Sequence, residues 1–347
     1  MMNTKIYFLC PNNSFISGGV KQIYRQVEIL NNNGIQAAVL LQGESKQKWF
    51  HTTAPIVYSP YLFKILKYTL QNRKISLRKK MKLYFLKQKS VALDENTILV
   101  IPEIYGDKID KIAVGIKKVI FNQNCYYTFN QYDINTDYPQ TPYTHPDVLA
   151  TIVVSEDSLA YLNYTFAKAK VYRCVLGINS KIFYYSPEKQ RQICFMPRKL
   201  TDDVRQVLQI LKQRGSLKGW KLMAIDGKNE QEVAQIMRES TFFLSFNHRE
   251  GFGLPPVEAM ACGCYVVGYD GEAGKEYFKD EFSSVVKSGD IIAYVKKIEE
   301  LLALYEASPQ VIIQKGEKAS NFVLQNYSMD NEEKSIIAIW NNLLKQL

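Results

Sequence analysis

An apolar run, a glycine-containing loop and a Pro-Pro pair follow one another between residues 241 and 263, and this order constrains the fold more than any other feature. Residues 241–246 (TFFLSF) have the length and composition of a buried strand. Pro255 and Pro256 suit the start of a helix, because a proline lacks the N–H that would be unpaired there. Gly263 stands where that helix would stop. Strand, loop and helix in this order are typical of a parallel α/β sheet.

Two carboxylates, Glu250 and Glu258, stand at the two ends of this loop. We predict that Glu250 ends the strand and that Glu258 lies in the first helical turn. Loop amides and the positive N-terminus of a helix bind anions. A carboxylate beside them would repel a phosphate but would suit sugar hydroxyls. The combination predicts a ligand that has both groups, a nucleotide sugar.

Strand and helix patterns alternate along both halves of the chain, which predicts an α/β protein with two parallel-sheet domains. In the first half we predict strands at 5–10, 35–41, 98–102, 118–121 and 151–155, and helices at 20–30, 106–115 and 155–168. In the second half we predict strands at 192–196, 221–225, 241–246 and 264–268, and helices at 201–213, 230–238 and 256–262. A last helix is predicted at 331–347.

Composition excludes several classes of protein. The 347 residues are 46% apolar, which allows sizeable cores, and no apolar run approaches the length of a membrane span. The apolar stretch near the N-terminus is too short for a signal-peptide core. Six cysteines and three histidines show no disulfide or zinc spacing. We therefore expect a cytoplasmic protein with reduced thiols and no metal site.

The positive charge of the chain is concentrated in one segment. Twelve Lys or Arg and no Asp or Glu lie between Lys46 and Lys89, whereas the whole chain has a net charge of +10. Within residues 61–89, basic and apolar residues interleave at roughly helical spacing. An amphipathic helix at an anionic membrane, a nucleic-acid patch, and a solvated face or anionic-acceptor site would each explain this pattern. We prefer the membrane, which would place the protein peripherally on its inner face, and expect no nucleic-acid partner.

The run EGFGLPPVEAMACG at residues 250–263 resembles the Glu-x7-Glu signature of retaining glycosyltransferases of family 4, also called glycosyl transferases group 1. The resemblance implies the GT-B fold: two Rossmann-like β/α/β domains facing each other across a cleft, with a C-terminal helix that crosses back to the first domain. It implies an N-terminal acceptor-side domain over 1–176, a C-terminal donor-binding domain over 177–330, and the terminal helix over 331–347.

The resemblance also implies roles for the signature residues. Glu258 would accept from the ribose hydroxyls of the nucleotide, although a carboxylate near a helix start is also stabilised by the helix dipole. Glu250 would face the donor sugar as a catalytic residue, with a solvated loop carboxylate as the alternative. The amides of Gly251, Phe252, Gly253 and Leu254 would meet the sugar or the diphosphate, and we expect the Phe252 ring to pack internally.

Arg198 follows a predicted strand, and the resemblance implies that it grips the diphosphate of the donor. In the family a lysine follows five positions later, but this chain has Asp203 there. Lys199 or Arg205 are the candidate replacements, and Arg205 also fits an exposed helix charge.

Four weaker candidates complete the predicted donor site. Gly18 and Gly19, between the first strand and the first helix, would approach the diphosphate or the acceptor, or would only form a turn. Asn122 follows a predicted strand where the family often has a histidine that touches the donor sugar. His248 would reach the sugar or would cap the loop.

The implied activity is transfer of a hexose from a nucleotide diphosphate sugar, a UDP-hexose such as UDP-glucose, to a glycan or lipid-linked acceptor with retention. No Asp-x-Asp triplet is present, which favours diphosphate binding without a metal or other cofactor. A nucleotide-sugar epimerase and a non-catalytic nucleotide-sugar-binding protein remain alternatives. A dehydrogenase is disfavoured, because the Gly-x-Gly-x-x-Gly pattern is missing.

Overall fold

A computed structural model describes residues 4–11, 18–44, 50–71, 76–137 and 140–347. The chain divides into two compact units. Unit 1 takes in the described residues up to Val154, together with Ser158–Cys174 and Glu333–Leu347. Unit 2 takes in Ser155–Asp157 and Val175–Glu332. Each unit is an α/β fold with a parallel sheet.

The described strands of unit 1 form one parallel sheet of seven strands in the order β3-β2-β1-β4-β5-β6-β7. These strands are β1 (Lys5–Leu9), β2 (Ala37–Leu41), β3 (Ile56–Tyr58), β4 (Thr97–Pro102), β5 (Lys117–Asn122), β6 (Val148–Val153) and β7 (Val171–Arg173). The central strands are apolar on both faces, as expected for a sheet covered on both sides.

The described helices of unit 1 are α1 (Gly18–Asn32), α2 (Pro60–Leu70), α3 (Leu77–Gln88), α4 (Glu156–Thr165) and the terminal helix, which is numbered α10 (Met329–Leu344). α1 buries the predicted apolar face that includes Val20, Ile23, Val27 and Leu30. α10 begins in unit 2, and from Glu333 onward it belongs to unit 1. There its Trp340 ring is fully buried, with its centroid 6.0 Å from that of Phe8 on β1.

Every residue of unit 2 is described, and its five strands form a parallel sheet in the order β12-β11-β10-β8-β9. The strands are β8 (Gln190–Phe195), β9 (Lys221–Ala224), β10 (Ser240–Glu250), β11 (Tyr265–Glu272) and β12 (Ser283–Val285). The helices are α5 (Thr201–Gln213), α6 (Glu230–Glu239), α7 (Leu254–Ala261), α8 (Ile291–Ala307) and α9 (Pro309–Asn326). α5 has the predicted bounds and buries the predicted apolar face.

Two predicted helices are wrong in kind or in start. Residues 106–115 do not form a helix: a 3₁₀ segment, Glu103–Lys111, is interrupted at Gly106, whose φ of +50° is not helical. The helix predicted at 256–262 begins at Leu254 instead, because Gly253 adopts a φ of +83° and marks the helix start. The predicted helix over 155–168 is shorter, and β10 extends four residues beyond its predicted end at Phe246.

The basic segment 61–89 contains two helices, α2 and α3, and its residues 72–75 lie outside the described part of the chain. Among the described residues, no helix is both long and apolar enough to cross a membrane.

Candidate functional site

The carboxyl ends of β8, β10 and β11 bring most of the predicted site residues to one edge of the unit 2 sheet. We call this the carboxyl edge of unit 2 and define it as residues 197–200, 247–254 and 270–276. β8 and β10 are neighbours in the sheet, and Glu250 on β10 is in register with Glu272 on β11. Ligands of open parallel sheets bind outside the carboxyl ends of the strands, so this edge is the expected place for a ligand.

The backbone of this edge is strained. Among the described residues, four that are not glycine have a positive φ, and three of them lie here: Leu200 (46°), Arg249 (46°) and Glu272 (68°). Such conformations cost on the order of 1–3 kcal/mol each and cluster at ligand sites. The strain is therefore concentrated where the sequence predicts the ligand.

Glu250 and Lys199 form an ion pair at this edge, in which the Lys199 ammonium donates to the Glu250 carboxylate. The Glu250 side chain is largely buried, whereas that of Lys199 is half exposed. The sequence predicts both residues separately, and the structure brings them together.

The other two predicted cations, Arg198 and Arg205, pair with aspartates and not with Glu250. Arg198 follows β8, and its Nε lies 3.4 Å from the carboxylate of Asp226, which follows β9. Arg205 is an exposed residue of α5, and its guanidinium lies 3.0 Å from Asp202 in the first turn of that helix. Arg205 therefore has the surroundings of the alternative prediction, an exposed helix charge.

Asp203, at the position where the resemblance leads one to expect a lysine, has a hydrogen-bond partner. The Tyr269 hydroxyl donates to its carboxylate at 2.9 Å, which ties α5 to β11. Burial, together with this carboxylate, raises the pKa of Tyr269. A lysine at position 203 could not accept this hydrogen bond. The aspartate therefore serves to hold α5 against β11.

Tyr277 contacts the glycine loop, residues 251–254, through its side-chain hydroxyl. The Tyr277 hydroxyl is buried, donates to the carbonyl oxygen of Phe252 at 2.8 Å and lies 3.1 Å from that of Gly253. Gly251, Phe252 and Gly253 are all buried, and the Phe252 ring packs against the rings of Tyr277 and Tyr327. The prediction that Phe252 packs internally is confirmed.

Gly253 cannot be replaced without strain. Its φ is +83°, and a Cβ built on it would lie 2.6 Å from Asn247 Nδ2 and 2.7 Å from the Tyr277 hydroxyl. Both contacts are shorter than real Cβ contacts. The glycine is therefore required both by the backbone conformation and by the space.

Glu258 is half-buried and is the fifth residue of α7, so it lies in the second helical turn. The prediction of a first-turn position is wrong, because α7 begins two residues before Pro256. The helix dipole acts mainly within the first turn, so it accounts for little of the placement of this carboxylate.

Asn247 is a residue of this edge that the sequence reasoning missed. It is buried on β10, and its Nδ2 has no hydrogen-bond partner among the described residues. Leaving such a group unpaired costs about 1–3 kcal/mol. The missed signal is the length of β10, which extends beyond the apolar run. His248, the next residue, is exposed at the same strand end.

Asn122 in unit 1, which the sequence analysis predicts as a donor-binding residue, is fully buried. Its Nδ2 donates to the hydroxyls of Thr128 at 3.0 Å and Tyr143 at 2.8 Å. It is the last residue of β5, and its side chain joins that strand to the two short segments that follow it. Its Nδ2 therefore links internal segments, whereas its buried Oδ1 has no hydrogen-bond partner among the described residues.

Gly18 and Gly19 are the first two residues of α1 and not part of a preceding loop. Gln123 directly follows β5, and its side-chain Nε2 donates to the carbonyl oxygen of Gly19 at 3.1 Å. Residues 12–17, which precede these glycines in the chain, lie outside the described residues.

Glu103 is a second residue that the sequence reasoning missed. It directly follows β4, is buried, and accepts from the Gln123 N–H at 3.1 Å. Burial raises the pKa of its carboxyl to about 7, against the lowering effect of backbone N–H groups. An acidic residue immediately after the apolar run 98–102 was the available signal.

The described ranges contain no candidate metal centre. Within them, no three His, Cys, Asp or Glu side chains come together in a way that could hold a metal ion.

Comparisons with known proteins identify the class to which this fold and this site belong. The sequence profile described as "Glycosyl transferases group 1" matches residues 217–319, which include the glycine loop and both glutamates. An alpha-1,6-glucosyltransferase of Actinobacillus pleuropneumoniae serotype 7 (strain AP76) is 24% identical over 360 residues, which cover 99% of this chain and 96% of that protein.

Solved structures of other proteins match the fold over nearly the whole chain. Sucrose-phosphate synthase from Thermosynechococcus elongatus has a TM-score of 0.66 at 12% identity, covering 99% of this chain and 100% of that one. HepE of Anabaena, in complex with UDP-glucose, has a TM-score of 0.60 at 13% identity, covering 97% and 99%. The fold is GT-B. Residues 217–319 match the glycosyl transferases group 1 family, family 4, which is a family of retaining glycosyltransferases.

Proposed function

We propose that the protein transfers a hexose from a UDP-hexose, UDP-glucose or a similar sugar, to a glycan or lipid-linked acceptor with retention, in polysaccharide or cell-envelope glycan synthesis. The full-length relative is a glucosyltransferase, and HepE was solved with UDP-glucose, which supports both the sugar and the base. The observation that carries the proposal is the pairing of Glu250 with Lys199 on a strained sheet edge beside the glycine loop.

Lys199 and Arg198 bind the diphosphate in this proposal. A diphosphate brings about two negative charges, and charge-assisted bonds to cations are the strong ones. Lys199 is the better replacement for the family lysine, because it already contacts Glu250, whereas Arg205 pairs with Asp202 on its own helix. When the diphosphate binds, the Lys199 ammonium exchanges part of its contact with Glu250 for phosphate oxygens.

The two glutamates take separate parts of the donor. Glu258 accepts from the ribose hydroxyls, and Glu250 faces the hexose, where its carboxylate stabilises positive charge that develops at the anomeric carbon. The loop Gly251–Leu254 supplies backbone amides to the diphosphate at the start of α7. Of the remaining candidates, His248 is exposed at the end of β10, and Gly18 and Gly19 stay proposed contacts of the diphosphate or the acceptor.

Retention in this proposal needs no side-chain nucleophile. The bond between the anomeric carbon and the diphosphate oxygen breaks, and the acceptor oxygen attacks on the same face. The departing diphosphate takes the proton of the acceptor hydroxyl. The protein therefore orients the reactants and stabilises the leaving group with Arg198 and Lys199, without a metal.

The acceptor is proposed to be reached at an anionic membrane surface, which the protein approaches through the basic segment 61–89. The charge of this segment supports that proposal, because residues 46–89 contain no acid. Each basic residue near such a surface contributes about 1 kcal/mol.

The first test is a thermal-shift panel with UDP, GDP, ADP, CMP and dTDP, with and without EDTA. A nucleotide at about 100 times its dissociation constant stabilises the folded protein by about 2.7 kcal/mol. We expect a shift with UDP that survives EDTA and is lost in Glu258→Ala. Glu239→Ala, at a half-buried glutamate on α6, is the control and should keep the shift. No shift with any nucleotide would refute the donor site.

Turnover then separates the proposed activity from its alternatives. Incubation with UDP-glucose and a glucan or lipid-linked acceptor should release UDP and extend the acceptor. In Glu250→Gln we expect kcat to fall by about a hundredfold while the UDP shift is kept. Conversion of the sugar without release of UDP would indicate an epimerase, and binding without any conversion would indicate a non-catalytic protein.

A further inference from the structure

Helix α3 exposes a continuous apolar stripe. The stripe consists of Leu77, Met81, Tyr84 and Phe85, which are 77%, 59%, 63% and 63% exposed. At 3.6 residues per turn these four positions occupy an arc of about 100° on one side of the helix. The periodicity of the sequence predicts that these residues share a face, but it does not say that the face points to solvent.

The opposite side of α3 is the one that packs on unit 1. Leu83 lies on that side and is buried. The Lys79 ammonium lies 5.2 Å from the centre of the Tyr68 ring on α2, and that ring is buried. α3 is therefore attached through Leu83 and Lys79, with its apolar stripe directed away from the unit.

Cations border the stripe on both sides. Arg78 and Lys82 follow one border, and Lys80 and Lys87 follow the other; all four are exposed. The segment from Lys46 to Lys89 supplies no carboxylate to neutralise them. The surface therefore combines an apolar centre with positive charge on each flank.

We propose that α3 lies in the interface of an anionic lipid bilayer, with Leu77, Met81, Tyr84 and Phe85 inserted at the boundary of headgroups and acyl chains. Arg78, Lys80, Lys82 and Lys87 then contact lipid phosphates. This inference rests on the membrane part of the proposed function and not on the transfer chemistry. The proposed function invokes only the positive charge of this segment. The inference adds that one face of α3 inserts its apolar side chains into the bilayer.

A bilayer matches this surface better than a macromolecular partner does. Exposed apolar patches on soluble proteins mark interaction sites. A nucleic acid would take the four cations but would leave the apolar stripe in water. A second copy of the chain would bring a second set of cations to the same place, and like charges would repel. An anionic bilayer accepts both the apolar centre and the positive borders.

The test uses the full chain and co-sedimentation with vesicles of phosphatidylcholine alone or mixed with phosphatidylglycerol. We expect binding to the mixed vesicles and at least tenfold weaker binding to phosphatidylcholine alone. Because salt screens charges and leaves apolar insertion in place, part of the binding to mixed vesicles should survive high salt. Binding that high salt removes completely would overturn insertion.

Matched variants separate the contributions of the aromatic rings and of the lysine charges to vesicle binding. Tyr84→Ser with Phe85→Ser should weaken binding by about tenfold or more, because both exposed rings leave the interface. Lys80→Gln with Lys87→Gln should weaken it by about fivefold for each charge removed. The control, Ile134→Ser with Tyr164→Ser, replaces two almost fully exposed apolar residues elsewhere on unit 1 and should change nothing.

Besides complete loss of binding in high salt, four outcomes would overturn the inference. They are equal vesicle binding in the Tyr84/Phe85 variant, equal loss in the Ile134/Tyr164 control, dimerisation abolished by the Tyr84/Phe85 changes, and displacement from vesicles by RNA or DNA but not by soluble anionic headgroups. All variants should keep the UDP thermal shift, which shows that they are folded. Vesicle binding without any UDP shift in the wild type would refute the donor site and leave this inference standing.

Discussion

Lys199 and Glu250 are 51 positions apart in the chain, and the Lys199 ammonium donates directly to the Glu250 carboxylate. They meet because Lys199 follows β8 and Glu250 ends β10, and these strands are neighbours although β9 lies between them in sequence. Two residues predicted separately for the donor thus belong to one ion pair. In the proposed function, a bound diphosphate would compete for the lysine of that pair.

Lys199→Gln should weaken UDP binding by about tenfold to a hundredfold, since a hydrogen bond to a charged group contributes about 1.5–3 kcal/mol. Stability should change by less than about 1 kcal/mol, because Lys199 is half exposed and such pairs are weak. Arg205→Gln, which removes a cation from the exposed face of α5, should leave UDP affinity unchanged. Isothermal titration with UDP measures the affinity of both variants. An unchanged UDP affinity in Lys199→Gln would place the phosphate contact elsewhere.

Gly253→Ala should destabilise the protein more than a substitution at another glycine with positive φ. Gly215→Ala is the control, because Gly215 has a φ of +73° and a Cβ added there would meet no described atom within 4 Å. The control should cost about 1–2 kcal/mol for the left-handed conformation. Gly253→Ala should cost about 1–3 kcal/mol more, because its Cβ meets Asn247 and Tyr277. Denaturant unfolding curves compare them, and equal costs would contradict the steric argument.

Tyr277→Phe and Tyr294→Phe should separate stability from ligand binding. Each removes a buried hydroxyl: that of Tyr277 donates to the glycine loop, and that of Tyr294 donates to backbone carbonyls of β10 and β11. Each loss leaves buried carbonyls unpaired and should lower stability by about 1–3 kcal/mol. Only Tyr277→Phe should also weaken UDP binding, because it alone loosens residues 252 and 253. Thermal unfolding with and without UDP distinguishes the two effects.

Glu103→Gln should change how stability depends on pH. The folded-state pKa of Glu103 is raised from 4.5 to about 7, so its stabilising contribution is present below about pH 4.5 and is lost as pH rises towards about 7. Glutamine imitates the protonated carboxyl. Relative to the wild type, the variant should therefore gain about 3 kcal/mol between those pH values.

Urea unfolding from about pH 4.5 to about pH 8 measures this difference for Glu103→Gln. Glu95→Gln, at an exposed glutamate of the same unit, should run parallel to the wild type at every pH. A Glu103→Gln curve that also stays parallel to the wild type would mean that the Glu103 carboxyl is already ionised without cost in the folded protein.

Sequence reasoning succeeded where local chemistry decides the structure. α5 has its predicted bounds, and its apolar face (Val204, Val207, Leu208 and Leu211) has helical spacing in the sequence. The strand, loop and helix around the signature are correct in kind, because glycine and proline restrict the backbone locally. The family resemblance is likewise carried by one contiguous run of residues, and the comparisons confirm it.

Errors arose where the outcome depends on distant residues. Glu258 lies one turn later than predicted, because Gly253 turns the backbone against Asn247 and Tyr277 and α7 starts at Leu254. The burial of Asn122 also depends on distant residues, because its Nδ2 donates to Tyr143 and Thr128. Neither packing partner can be inferred from spacing along the chain.

The sequence by itself therefore determined the α/β class, the family and the order of strand, loop and helix at the donor motif, since these depend on residues close together in the chain. The tertiary structure alone decided that Lys199 reaches Glu250, that Asn122 is buried and that the apolar stripe of α3 faces solvent. The physical reason is that backbone preference and periodicity act over a few residues. Pairing and exposure depend instead on which strands and helices become neighbours when the sheets form.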